Sequence, residues 1–338
     1  MELTEFNKYL QKKYKTNKIF FDEYMEEALY SKYGFFNNKK VRSKKSGDFL
    51  TSPEVSKYFG KILNQWIQKN NLDLNIVEFG SGTGSLIEQI NTENKIAVEL
   101  SLTARVELSK KNIQNVASLE GLTFKESDLV FGNEVLDNIP CSVAVFKDNK
   151  WYEKVVNLED DSFSYDFVNA RKEVIEWIET NQLKGDVNID IEVQTNIDKF
   201  LENIIHNLNP KTILFFDYGF EQKDRVERKY RSLLRTYKDH HLSVDPILEP
   251  GNVDITYDIN FSSVKRKLKT LGYESSLLLQ RDFLINNGFN EYFDSLQNKL
   301  LLSEGIENLK INSYLSGLKA LIDSNGLGGF YCLEAKKI

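Results

Sequence analysis

The pentapeptide Gly80-Ser81-Gly82-Thr83-Gly84 follows directly on the short apolar run Leu74-Asn75-Ile76-Val77-Glu78-Phe79. Glycines at alternate positions allow a tight turn and let backbone N–H groups approach a ligand closely. Glu99 closes the next apolar run, 19 positions after Gly80. An acid about 20 residues beyond such a turn is placed to accept hydrogen bonds from ribose hydroxyls. Dinucleotide sites favour G-x-G-x-x-G, whose helix N-terminus carries a pyrophosphate. The G-x-G-x-G spacing here, with Glu78 just ahead of it, points instead to S-adenosyl-L-methionine (SAM). Two plainer alternatives stay open: a tight strand–helix connection with no ligand, and Glu78 as an ordinary strand-end carboxylate.

A second group follows the apolar run Leu129–Gly132. Asn133 and Glu134 stand at its C-terminal end, the end beyond which open α/β sheets bind their ligands. Asn133 and Asp137 have a structural alternative, organising the turn ahead of Pro140. His240, beside His241, is available as a general base.

These groups need a scaffold, and the pattern around them supplies one. Strands are expected at 74–79, 95–100, 129–132 and 212–218, with helices at 86–91, 102–112 and 197–208. Such alternation implies a parallel sheet covered on both faces. Apolar residues at helical spacing from Val55 to Ile67 predict a helix over 53–69. Thr51, Pro53 and Glu54 begin it as a capping box with an early proline. Residues 141–170 alternate like antiparallel strands, with Asp148-Asn149 at a turn. Residues 219–260 are charged and aperiodic, as in a long functional loop. A helix is expected over 261–271, and late strands at 274–279 and 330–335.

With 338 residues and 41% hydrophobic content, the chain can bury a sizeable core. No run approaches the ~18 consecutive apolar residues of a membrane span. The N-terminus lacks a secretion signal. Two cysteines cannot build a disulfide framework, and three histidines show no zinc spacing, so no metal is expected. A cytoplasmic setting follows, and the abundance of Lys, Asn and Ile suggests an AT-rich bacterial source. The net charge of −6 is uneven: residues 1–70 carry +6 and the remainder −12. An acidic body of this kind argues against nucleic acid as the partner. The basic run Lys39, Lys40, Arg42, Lys44, Lys45 is either a solvated loop or a docking site for an acidic protein.

Several motifs in order resemble the MidA family, which includes the mitochondrial complex I assembly-factor methyltransferases. They are Phe21-Asp22-Glu23-Tyr24-Met25, Tyr33-Gly34-Phe35-Phe36, Gly47-Asp48-Phe49-Leu50-Thr51-Ser52-Pro53-Glu54, the glycine turn, Asn133-Glu134-Val135-Leu136-Asp137-Asn138-Ile139-Pro140, Asp217-Tyr218-Gly219-Phe220, Leu234-Arg235-Thr236-Tyr237 and Asp254-Ile255-Thr256. Ser81, Thr83, Asn138-Ile139 and Ser232-Leu233 depart from the family pattern. The glycines and acids are kept.

The resemblance implies an α/β fold: a Rossmann-like class I SAM-dependent methyltransferase core with an N-terminal helical cap and an inserted β-rich segment. The cap would span 1–70. The methyltransferase domain would span 71–338, with insertions at 141–170 and 219–260. The cofactor would rest on Glu78, Gly80, Gly82, Gly84 and Glu99, with Thr51, Ser52 and Pro53 folding over it. The resemblance further implies an arginine on a partner protein, such as a respiratory complex I subunit, as substrate. A carboxylate gripping the guanidinium at two points would localise its charge and aim one nitrogen. Glu134 is the first candidate for that clamp, and Asn133 would bind the substrate or fix Glu134. Asp137 and Glu192 are candidates for a second carboxylate, and His240 for the base. One alternative is a SAM-binding assembly factor that docks its partner with little turnover. Another is an NAD-dependent oxidoreductase, which the glycine spacing disfavours.

Overall fold

Seven strands make the sheet that carries the glycine turn. They are β1 (Ile76–Phe79), β2 (Lys95–Val98), β3 (Asn115–Val116), β4 (Leu129–Asn133), β5 (Thr212–Asp217), β6 (Tyr273–Leu279) and β7 (Tyr331–Lys337). The computed structural model describes residues 3–37, 51–92, 94–122, 126–159, 162–185, 189–224, 233–238, 241–242 and 245–338. The sheet order is β6-β7-β5-β4-β1-β2-β3. The strands from β5 to β3 run parallel, and β7 lies antiparallel to both β5 and β6. β1, β4 and β5 are buried at every position. This explains why they appear in the sequence as short continuous apolar runs, as strands covered on both faces do.

This sheet belongs to one of two units, formed by Ser43–Val135, Ile204–Gly219 and Leu268–Ile338. On one face the helix Tyr58–Lys69 lays Phe59, Ile62, Leu63, Trp66 and Ile67 into a core with Leu129, Phe131, Leu214 and Phe216. The helices Gln280–Asn286, Phe289–Leu301 and Gly305–Ile322 add Phe283, Leu284, Phe289, Ile311 and Leu318 to that core. A smaller cluster of Ile87, Ala97, Leu108 and Ile113 forms separately. The sequence pattern had not singled out the three late helices.

Two expected helices differ in detail. The helix expected over 86–91 is a single 3-10 turn, Ile87–Gln89. The side chain of Asn64 explains the arrest. Its amide donates to Gln89 O at 2.6 Å and its carbonyl accepts from Asn91 N at 2.7 Å, occupying backbone groups that a longer helix would pair. The helix expected over 53–69 is broken into Ser52–Val55 and Tyr58–Lys69 by extended backbone at Ser56.

Met1–Arg42, Leu136–Asn203 and Phe220–Lys267 make the other unit. The described residues 3–37 therefore group with this unit and 51–70 with the sheet of the glycine turn. The reason lies in the strand Lys18–Phe20, between helices Leu3–Tyr14 and Phe21–Tyr30, which pairs antiparallel with Lys150–Glu159. Lys150–Glu159 also pairs with Ser142–Lys147 and Ser162–Asn169, and Ser142–Lys147 pairs with Asp190–Val193. The hairpin turn is Asp148-Asn149, both with positive φ (47° and 58°). This is the geometry that matches strand twist in two-residue hairpins. Within 219–260, expected as loop, the strands His241–Leu242, Leu234–Lys238 and Asp254–Tyr257 form a three-stranded sheet. Among the described residues, no helix is long and apolar enough to cross a membrane.

A buried charge knot holds the antiparallel unit. Arg171 Nε donates to both oxygens of Glu153 at 3.1 Å, and its Nη2 donates to Asp22 at 2.8 Å and Ser142 Oγ at 2.9 Å. Its guanidinium also lies 4.0 Å from the Phe20 ring centroid. The Glu153 side chain has no solvent exposure. Removing the partner of such a charge leaves it buried and uncompensated. Arg171→Met should therefore cost about 3–5 kcal/mol of stability in urea denaturation, and Arg171→Met with Glu153→Met should recover much of that loss. Equal losses in the single and double variants would show that the knot is not what holds this unit.

Candidate active site

The glycine turn is a backbone device. Gly80, Gly82 and Gly84 have φ of 65°, 51° and 81°, a region that side chains disfavour. A Cβ on Gly80 would stand 2.8 Å from Val135 Cγ2, and one on Gly84 would stand 2.7 Å from Leu108 Cδ2. The turn is seated beneath by Gln89, whose side-chain amide donates to Ser85 O at 2.6 Å.

Two buried carboxylates lie under the turn. Glu99, at the end of β2, accepts from Gly82 N at 2.8 Å and from Ser101 N at 2.7 Å. It thus ties the turn to β2 even without a ligand, a role its spacing alone did not suggest. Burial pushes its carboxyl above the usual range, and the Ser101 and Gly82 amides oppose that rise. Glu78 is 3% exposed. Burial pushes its carboxyl up to about 8, against the lowering influence of Ser81 and the Ile87 amide, and Glu99 adds to the rise. Glu78 Oε2 is buried with no hydrogen-bond partner. A pair of desolvated carboxylates with one orphaned oxygen, beside backbone that glycine keeps bare, suits a ligand carrying positive charge and hydroxyl donors. SAM has both, so the residues present fit it.

Asn133 and Glu134 lie at the carboxyl end of β4, next to β1 in the sheet, where Phe79 is in register with Gly132. Asn133 Nδ2 donates to Glu134 Oε1 at 2.8 Å. Glu134 has φ of 54°, an uncommon conformation for a non-glycine residue, and such backbone concentrates at functional sites. Its amide donates to Phe216 O at 2.8 Å.

The other expected site residues have these surroundings. Thr51 N donates to Glu54 Oε2 at 3.2 Å, as in a capping box. Ser52 is fully buried and its hydroxyl bonds Gln280 Oε1 at 3.1 Å. Pro53 O accepts from Gln89 at 3.4 Å, which links this segment to the support of the glycine turn. Asp137 and Glu192 belong to the antiparallel unit, and both are buried. Glu192 Oε1 accepts from Leu233 N at 3.3 Å. His240 and the basic run 39–45 lie outside the described residues. Among the described residues, no group of His, Cys, Asp and Glu is arranged to hold a metal ion.

The model of a family of S-adenosyl-L-methionine-dependent methyltransferases matches residues 58–277. The chain belongs to this family. The methyltransferase is also similar to curated relatives. One is the protein arginine methyltransferase NDUFAF7 homolog, mitochondrial, of Drosophila melanogaster, 25% identical over 77% of this chain and 70% of that protein. Another is protein arginine methyltransferase NDUFAF7, mitochondrial, of Homo sapiens, 22% identical over 93% and 78%. A crystal structure of a Burkholderia thailandensis protein bound to S-adenosyl-homocysteine shares the fold, with a TM-score of 0.83 at 22% identity, covering 99% of this chain and 92% of that one. The methyltransferase uses S-adenosyl-L-methionine as its cofactor, and the oxidoreductase alternative is set aside.

Two outcomes are expected at the turn. Gly80→Ala adds a Cβ at positive φ and against Val135, so SAM affinity should fall about tenfold or more by calorimetric titration of the folded variant. Wild-type affinity would sink the assignment of the turn. The second outcome concerns Glu78. Its carboxyl is raised from the ordinary 4.5 to about 8, so the folded protein holds a proton that the unfolded chain releases. The associated stability is present below pH 4.5 and is lost as pH rises through about 8. Melting temperatures across pH 5–9 should fall less steeply for Glu78→Gln than for the wild type. Parallel curves would mean that Glu78 is not the group responsible.

Proposed function

We propose that this methyltransferase transfers a methyl group to an arginine guanidinium on a protein partner. Glu134 carries the reading. It stands at the carboxyl end of the strand beside β1, held by Asn133, with its backbone in the left-handed region. The names of the Drosophila and human relatives, both protein arginine methyltransferases, support the choice of substrate. The family resemblance suggests a respiratory complex I subunit as the partner.

In this reading Gly80, Gly82 and Gly84 present backbone to the cofactor, and Glu99 accepts from its ribose hydroxyls while keeping the Ser101 amide. Glu78 is a neutral carboxyl in the free protein near neutrality, and the positive charge of the cofactor would favour its ionised form. The segment Thr51-Ser52-Pro53 folds over the cofactor, and Pro53 O is bonded by Gln89. Bound there, S-adenosyl-L-methionine supplies an electrophilic methyl carbon whose bond to sulfur breaks with the electron pair kept by sulfur.

The chain's own task is to make a poor nucleophile attack. A guanidinium nitrogen has its lone pair delocalised. A carboxylate that binds it at two points draws positive charge toward itself and leaves the remaining nitrogen more nucleophilic. Asn133 orients Glu134 through the 2.8 Å bond, so the carboxylate is in place before the substrate arrives. Preorganised charge of this kind is effective because no rearrangement is needed during the reaction. Asp137, Glu192 and His240 are kept as candidates for a second carboxylate and a base to take the proton from the methylated nitrogen.

Glu134→Gln keeps the size of the side chain and loses its charge. Turnover should fall by ~100-fold, the equivalent of about 3 kcal/mol in the transition state, with SAM affinity near wild type. The assay is transfer of tritiated methyl from SAM to proteins of the source lysate, run beside SAM titration. Wild-type turnover in Glu134→Gln would move the clamp elsewhere. A wild type that binds SAM and labels nothing would favour the docking-factor alternative.

A further inference from the structure

The turn that presents Glu134 is held by the neighbouring strand, at residues to which no role has been given. β5 ends at Asp217, a fully buried carboxylate. Its Oδ2 accepts from Val135 N at 3.2 Å and its Oδ1 from Tyr218 N at 2.9 Å. One residue earlier, Phe216 O accepts from Glu134 N at 2.8 Å. Two successive amides beyond β4 are therefore bonded by two successive residues of β5. The first bond extends the parallel ladder, in which Phe216 is in register with Asn133. The second replaces a backbone carbonyl with a side chain, and it occurs where Glu134 turns into positive φ and leaves the sheet. A backbone acceptor could follow the chain only while it stays extended. A carboxylate can reach the amide after the bend.

The same bond seats Val135. Its Cγ1 would stand 2.7 Å from a Cβ on Gly132, and its Cγ2 2.8 Å from a Cβ on Gly80. The side chain therefore lies against two positions that only glycine fits, one at the end of β4 and one opening the cofactor turn. Fixing the Val135 amide fixes this wedge, and with it the direction in which Glu134 leaves the sheet.

We infer that Asp217 is a positioning residue for methyl transfer: its carboxylate holds the Val135 amide and thereby sets the Glu134 turn against the glycine-rich turn. The inference rests on the reading of Glu134 as the guanidinium clamp. Asp217 need not touch cofactor or substrate to act. Asp217→Asn keeps one acceptor oxygen but points an N–H at one of the two amides, so one of the bonds is lost.

Four proteins decide the matter: wild type, Glu134→Gln, Asp217→Asn and the double variant. Each is assayed for methyl transfer from tritiated SAM to source-lysate proteins and titrated with SAM. Asp217→Asn should lose at least tenfold in turnover while its SAM dissociation constant stays within about threefold of wild type. The double variant should be no worse than Glu134→Gln within about twofold, because two residues acting through one carboxylate are not additive. Multiplying losses, or full turnover in Asp217→Asn, would overturn the inference while leaving the clamp intact. Wild-type turnover in Glu134→Gln would overturn both. Amide hydrogen exchange in the wild type gives a check that needs no variant to fold. The Val135 amide should be protected like those of β5, and exchange at the rate of an open loop amide would overturn the inference.

Discussion

Everything at this site depends on how closely the carboxyl ends of β1 and β4 approach. The space between Gly80 and Gly132 is filled by one side chain, Val135, and has no room for a second Cβ. That packing joins the backbone that would carry the cofactor to the backbone that carries Glu134. It is rigid because it rests on central strands that are buried at every position. Reactive groups must be held near ~3–3.5 Å and in line for transfer, and packing of this kind limits how far the two backbones can drift apart.

Charge is organised on the same principle. Glu78 and Glu99 are buried side by side beneath bare backbone, a costly arrangement in the free protein. Burial keeps the Glu78 carboxyl protonated near neutrality, and Glu99 is stabilised by the amides of Gly82 and Ser101.

The sequence was most legible where the chemistry is local. Glycines at 80, 82 and 84 are needed by their own φ values, and Asp148-Asn149 by the hairpin. The buried strands announced themselves as apolar runs. Legibility failed where a distant side chain decides. Asn64 stops the helix expected over 86–91, and nothing within 86–91 reveals it. Asp217 bonds an amide 82 positions away, so it appeared only as part of a motif. Lys18–Phe20 is three residues long, too short to show alternation, yet its pairing with Lys150–Glu159 assigns the N-terminal helices to the antiparallel unit. The strands within 219–260 are short and charged, and their pairing, not their composition, defines them.

The interleaving of the two units bears on the order in which the chain can fold as it is synthesised. The antiparallel unit has all its segments by Lys267, while the parallel sheet still lacks β6 and β7. β5 is the strand that steadies the Glu134 turn, and one of its edges stays open until Tyr331–Lys337 pairs along it from Thr212 to Asp217. Domains generally fold as units, the N-terminal one first, during synthesis. Here β7 completes the sheet only after every segment of the antiparallel unit has been made, and until then the apolar edge of β5 is exposed. By pairing along β5, Tyr331–Lys337 removes an apolar edge open to aberrant pairing.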